Sequence, residues 1–212
     1  MMRKLHVVAS GLMIACTAMS ARAQNPFESV KAFSATLVVS GMSSKPSDGR
    51  AEAKIYRSGT KIRTTLPGGA GYTLIDTTAH TSYMVMGAGM CMQMTAQGQE
   101  NPFAQAPDAT VERSSAGTDT VGGHACKVEN VTVTPNSGPR AGQSTKMKIW
   151  EAQDLHGFPI KVETQTSHGP MTVEYKDVSL AEPDPSLFTH PENCRQMPTL
   201  PGMPAKPTGG QP

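Results

Sequence analysis

Ile160-Lys161-Val162-Glu163 and, beyond a His168-Gly169 pair, Met171-Thr172-Val173-Glu174-Tyr175-Lys176 exchange apolar for polar side chains at every step. Successive residues of a strand point to opposite faces, so this period of two describes strands with one apolar and one wet face. The same alternation runs through Phe33, Ala35, Leu37 and Val39, broken only by Val38, and through Ile62, Thr64 and Leu66. Antiparallel sheets tolerate one wet face, whereas parallel sheets bury both. Turn chemistry agrees. Ser58-Gly59, Pro67-Gly68-Gly69, Gly122-Gly123 and His168-Gly169 punctuate the alternating runs where positive φ or a fixed φ is needed. The spacing predicts about ten short strands in a meander, and no helical pattern longer than about two turns.

The chain begins with Arg3 and Lys4, an apolar run over residues 5–19, and Ala21-Arg22-Ala23 before Gln24. A positive head, a short apolar middle and a small-x-small site predict a secretory signal peptide over residues 1–23. The run is too short to span a bilayer as a permanent helix. The expected product is therefore exported to the periplasm, with no transmembrane span once the signal is removed. An alternative cut before Cys16, after Met13-Ile14-Ala15, would leave a lipid anchor at Cys16 and a membrane-anchored lipoprotein facing the periplasm. Residues 24–197 are expected to form one β domain. Residues 198–212 hold five prolines and three glycines, too few apolar side chains to pack, and are expected to be a disordered tail. The polar segment 96–108, with Pro102 and Pro107, reads as a surface loop or lid.

The full chain has 19 Lys plus Arg against 17 Asp plus Glu. The signal takes away Arg3, Lys4 and Arg22 and no acid, so the mature domain has 16 bases against 17 acids, a formal charge of −1. Clustered positive charge for nucleic acid is missing, as is a polybasic stretch for an anionic membrane. Cys91, Cys126 and Cys194 remain as thiols, and in an oxidising compartment one pair should close. Spacing leaves all three pairings open.

A series of motifs follows in fixed order: Val121-Gly122-Gly123-His124-Ala125-Cys126-Lys127-Val128, then Lys148-Ile149-Trp150-Glu151-Ala152 with Asp154-Leu155. Gly157-Phe158-Pro159-Ile160-Lys161-Val162 comes next, then Val173-Glu174-Tyr175-Lys176-Asp177-Val178, and Asp184-Pro185-Ser186-Leu187-Phe188 with Pro191. This order resembles exported domains related to the bacterial outer-membrane lipoprotein carrier, including uncharacterised families of the same half-barrel type. It covers residues 111–191 well and 32–94 loosely. The resemblance implies a mainly β fold, a single curved antiparallel sheet forming a half-barrel with little helix, whose concave apolar face holds lipid acyl chains or a lipoprotein. The carriers close their cavity with helices. Here the cover is expected from residues 96–108 and from the segment after Leu180. Candidate groove residues are Phe33, Leu37, Val39, Ile62, Leu74, Tyr83, Val85, Ile160 and Val173. No cofactor is implied.

A sulfur-rich stretch stands apart. Residues 84–94 contain Met84, Met86, Met90, Met92 and Met94 with Cys91. Soft donors select Cu(I) in exported proteins, which makes Met90, Cys91, Met92 and Met94 an alternative metal set. On a strand the three methionines would share one face with Cys91 on the other, about 7 Å apart per two residues. The competing use is as flexible filler on an apolar surface. No nucleophile elbow, zinc-binding helix motif or phosphate loop occurs, so the expected role is binding without catalysis. A structural envelope domain that holds no ligand is the remaining alternative.

Overall fold

The computed structural model describes residues 30–41, 50–87, 90–95, 109–138, 141–166 and 169–196. The expected signal peptide, the polar segment 96–108 and the Pro/Gly-rich tail lie outside them. The alternating runs form strands as their period requires. In the first half these are β1 (Ala32–Ser40), β2 (Arg50–Ser58), β3 (Lys61–Thr65), β4 (Gly71–Asp76), β5 (Thr81–Met86) and β6 (Met90–Thr95). The second half holds β7 (Ala109–Val121), β8 (His124–Pro135), β9 (Thr145–Ala152), β10 (Phe158–Thr166), β11 (Gly169–Ser179) and the two-residue β12 (Arg195–Gln196). Among the described residues, helix is limited to short 3-10 turns at Pro67–Gly69, Gln153–Leu155 and Pro185–Phe188.

All twelve strands join one open sheet in the order β12-β6-β5-β4-β3-β2-β1-β11-β10-β9-β8-β7. Eleven strands pair antiparallel, and β12 adds in parallel to β6 through Arg195 opposite Met92. Chain length alone demands that this sheet be curved. β6 and β7 stand ten places apart in the order, about 48 Å on a flat sheet at the usual strand spacing. With every pairing between them antiparallel, the two strands run the same way, so the connection must also travel back along the strands. The 13 residues between Thr95 and Ala109 reach at most about 50 Å fully stretched. A flat sheet would leave them too short.

Packing explains which way the apolar side chains gather. Phe33 of β1, Phe158 of β10 and Tyr175 of β11 meet edge to face, with centroids 5.0 Å (Phe33–Phe158), 5.3 Å (Phe158–Tyr175) and 6.3 Å (Phe33–Tyr175) apart. Around them lies the largest core cluster, which also takes in Trp150, Ala152, Val128, Ile160 and Val173. A second cluster, Val131, Val133, Ile149 and Val162, fills the β8–β10 region. The pairing of β10 with β9 is irregular between Pro159 and Lys161, which sets Trp150 opposite Lys161. The Lys161 ammonium lies 4.3 Å and that of Lys148 5.0 Å from the Trp150 ring, and the indole N–H donates to Asp119 at 2.9 Å.

Gly71 shows how tightly neighbouring strands approach. Its φ is +150°, and a Cβ there would lie 1.9 Å from the Val85 carbonyl oxygen. Only glycine lets β4 lie against β5 at that point.

Candidate functional site

From β1 to β6 the ladders run without a register shift, so each face can be followed strand by strand. One face carries the cross-strand row Phe33, Arg57, Ile62, Ile75, Ser82, Met94 and, beside it, Ala35, Ile55, Thr64, Thr73, Met84, Met92. Met86 and Met90 close this face at its corner, directly opposite one another. The other face carries the row Tyr56, Arg63, Leu74, Tyr83, Gln93 and the row Tyr72, Val85, Cys91.

The second face is covered. After β11 the chain crosses it as a strap. Ser58 of β2 donates a hydrogen bond to Glu182. Asp184 accepts from the Ser186 N–H at 2.8 Å and caps the turn Pro185–Phe188. Arg63 of β3 donates to the Leu187 carbonyl at 2.9 Å, and its guanidinium stacks 3.5 Å from the Tyr72 ring centroid. Phe188 sinks into a cluster with Leu74, Tyr83 and Cys91. His190 lies against the Tyr83 ring, centroids 5.1 Å apart. Cys194 closes a disulfide with Cys91 of β6. These anchors cross β2, β3, β5 and β6 in order. Beneath the strap Leu74 is 0 % exposed, and Tyr56, Arg63, Tyr72 and Val85 on the same face are half-buried.

The first face differs. Ile55, Ile62, Ile75, Met84, Met86, Met92 and Met94 are only half-buried, and Met90 is 54 % exposed. Among the described residues no element lies over them. This open apolar face, continuous with the Phe33 cluster through β1, is the candidate binding surface.

The structure divides the residues expected to line a groove. Phe33, Leu37, Val39 and Ile62 share the open face, and Val173 pairs directly with Val39 on it. Ile160 belongs to the same core cluster as Phe33 and Val173. Leu74, Tyr83 and Val85 stand on the opposite face beneath the strap. Ile55, Ile75, Met84 and Met86 join this face, although the groove expected from the sequence did not include them. Each lies in a strand of nine residues or fewer, and only the register reveals which of them stand side by side.

The metal set needs a correction. Met90, Met92 and Met94 do share one face with Cys91 opposite, but Cys91 is bonded to Cys194, so it offers no thiolate. The disulfide also resolves the open pairing: among the described residues Cys126 is the free cysteine, 1 % exposed, and burial pushes its thiol pKa up. Among the described residues, no three or more His, Cys, Asp or Glu side chains gather as a metal site.

Charged groups outside this face serve the scaffold. Asp76 accepts from the N–H groups of Thr78 and Ala79 and shapes a turn. Trp150, Thr120, Lys161 and Lys148 hold the Asp119 carboxyl below its ordinary value, with the indole hydrogen bond as the largest contribution. His124 meets Asp154 at 2.7 Å. Arg113 bridges Glu129 at 2.6 Å and Glu151 at 3.0 Å, and Lys127 meets Glu129 at 2.5 Å. No described helix is long and apolar enough to cross a membrane.

No family model and no curated protein matches this sequence. Several solved structures are similar to it. Lipoprotein LppX from Mycobacterium tuberculosis is 12% identical with a TM-score of 0.43, over 73% of this chain and 89% of that one. MucB is 16% identical with a TM-score of 0.49, over 81% of this chain and 62% of MucB. LprF from Mycobacterium bovis is 14% identical with a TM-score of 0.41, over 76% of this chain and 93% of that one.

Proposed function

We propose that this protein is an exported, non-catalytic binding protein that holds a lipid, the acyl chain of a lipoprotein or another long apolar ligand against the open face of its curved sheet. One observation carries the reading. From β2 to β6 one face is crossed by the strap after β11, while the other presents Ile55, Ile62, Ile75, Met84 and Met92 half-buried with no described element over them. A largely apolar surface left open on a curved sheet is the property of a ligand or partner site. Flexible thioethers suit a chain of variable length, because methionine adapts to irregular contacts. Periplasmic residence is supported by the Cys91–Cys194 disulfide, since such bonds persist in oxidising compartments, and by the signal-like first 23 residues.

Native mass spectrometry of the protein purified from cells tests this, together with uptake of a fluorescent fatty acid. Co-purifying lipid or saturable uptake is expected, and Ile62→Glu, which places a charge on the open face, should weaken uptake at least about tenfold. Wild-type protein that carries no lipid and takes up none would end the reading.

A further inference from the structure

The open face of β5 and β6 carries sulfur as a two-by-two array. Met84 stands directly across from Met92, and Met86 directly across from Met90. Within each strand the two methionines are separated by one residue, so all four project from the same side. Three methionines in a row along one strand would spread over about 14 Å, at about 7 Å per two residues, too far to share an ion. Across strands the geometry is different. Directly opposed Cβ atoms lie about 5 Å apart, and each Sδ sits two bonds beyond its Cβ on a freely rotating stem. Four sulfurs can therefore turn toward one point above the sheet.

Two further observations favour an ion at that point. Cys91 lies between Met90 and Met92 and points the other way, where its bond to Cys194 fastens β6 to the strap. The strand that supplies two of the sulfurs is thus held in register from behind, and the array is preorganised. Met90 is also 54 % exposed, which leaves a way in from solvent. Among the described residues no cluster of carboxylates, imidazoles or thiolates competes for a metal. The donors on offer are neutral and soft, and soft donors select monovalent copper over harder divalent ions.

We infer that Met84, Met86, Met90 and Met92 form a binding site for one soft monovalent cation, Cu(I) or its redox-inert stand-in Ag(I). The site goes beyond the apolar-ligand reading and does not depend on it. Met94, across from Ser82, lies outside the array.

The test uses the whole secreted chain. Cu(I) is titrated under anaerobic conditions against a competing colorimetric chelator, and Ag(I) is followed through the methyl resonances of 13C-methyl-methionine. The expected result is one ion per chain, with the four methyl signals of the array moving together and those of Met147 and Met171 unmoved. The variant Met84→Leu/Met86→Leu/Met90→Leu/Met92→Leu keeps apolar volume and should lose at least tenfold in affinity. If it does not fold, Met84→Leu/Met92→Leu alone should give a smaller loss in the same direction. Equal affinity in the leucine variant, or Ag(I) shifts spread over methionines elsewhere, would overturn the site. Fatty-acid uptake by the wild-type protein is measured in a separate assay without added metal. Failure of the metal site is thereby distinguishable from failure of lipid binding.

Discussion

Glu129 is the residue at which charge and burial oppose one another most directly. It is 7 % exposed, and burial alone would push its carboxyl pKa up. Hydrogen bonds and charge from Lys127 and Arg113 outweigh that, and the carboxyl is held below its ordinary value. A group whose pKa is lower folded than unfolded adds stability above the unfolded value, about 4.3 for Glu. That contribution is lost as pH falls through the folded value. Glu129→Gln should cost about 1–3 kcal/mol at neutral pH, the cost of leaving buried partners underused. The gap between variant and wild type should close on acidification below about pH 4. Thermal melts across that range check it, and a gap that stays constant with pH would count against the account.

Other residues were readable beforehand for local reasons. Asp184-Pro185-Ser186-Leu187-Phe188 announces a capped turn because an Asp side chain can satisfy an N–H two residues on and proline fixes the next φ. The structure shows that cap, with Phe188 4 % exposed. The destination of Phe188 was not readable, because nothing local says which face a returning segment crosses.

At the scale of elements, the strap is held by contacts with four strands and one covalent bond. Cys91 and Cys194 are 103 residues apart in sequence, and a bond closing a loop of that order stabilises by up to about 4.7 kcal/mol in the chain-entropy estimate. Cys194→Ser should therefore lower stability by about 2–4 kcal/mol. Amide exchange should rise first in β5 and β6, whose covered face depends on the strap. Chemical denaturation with exchange mass spectrometry reads both. Uniform loss of protection across β7 to β11 instead would mean that the strap acts on the whole sheet. Individual strands were legible from period two wherever one face is wet. The β5–β6 hairpin was harder to read, because methionine on one face and Tyr83, Val85 and Cys91 on the other make both faces apolar, and alternation loses its contrast. That same lack of contrast is why Leu74, Tyr83 and Val85 grouped with Ile62 in the sequence while they stand back to back with it in the fold.

For the molecule as a whole, the open antiparallel sheet and its curvature follow from strand count and connection length. Which apolar face is left open follows from the path of one late segment. Under the proposed export, the long separation between paired cysteines has a further consequence. A chain emerging amino end first exposes Cys126 only 35 residues after Cys91, while the native partner is still to come. The wrong bond is thus the one offered first, and burial of Cys126 protects it only after β8 has joined the sheet. Maturation should accordingly lean on a disulfide-shuffling helper in the export compartment: cells without one should accumulate a Cys91–Cys126 crosslink visible by peptide mapping. Cys126→Ser should relieve that dependence, and an unchanged yield of native bond in helper-deficient cells would show that the sheet outpaces oxidation.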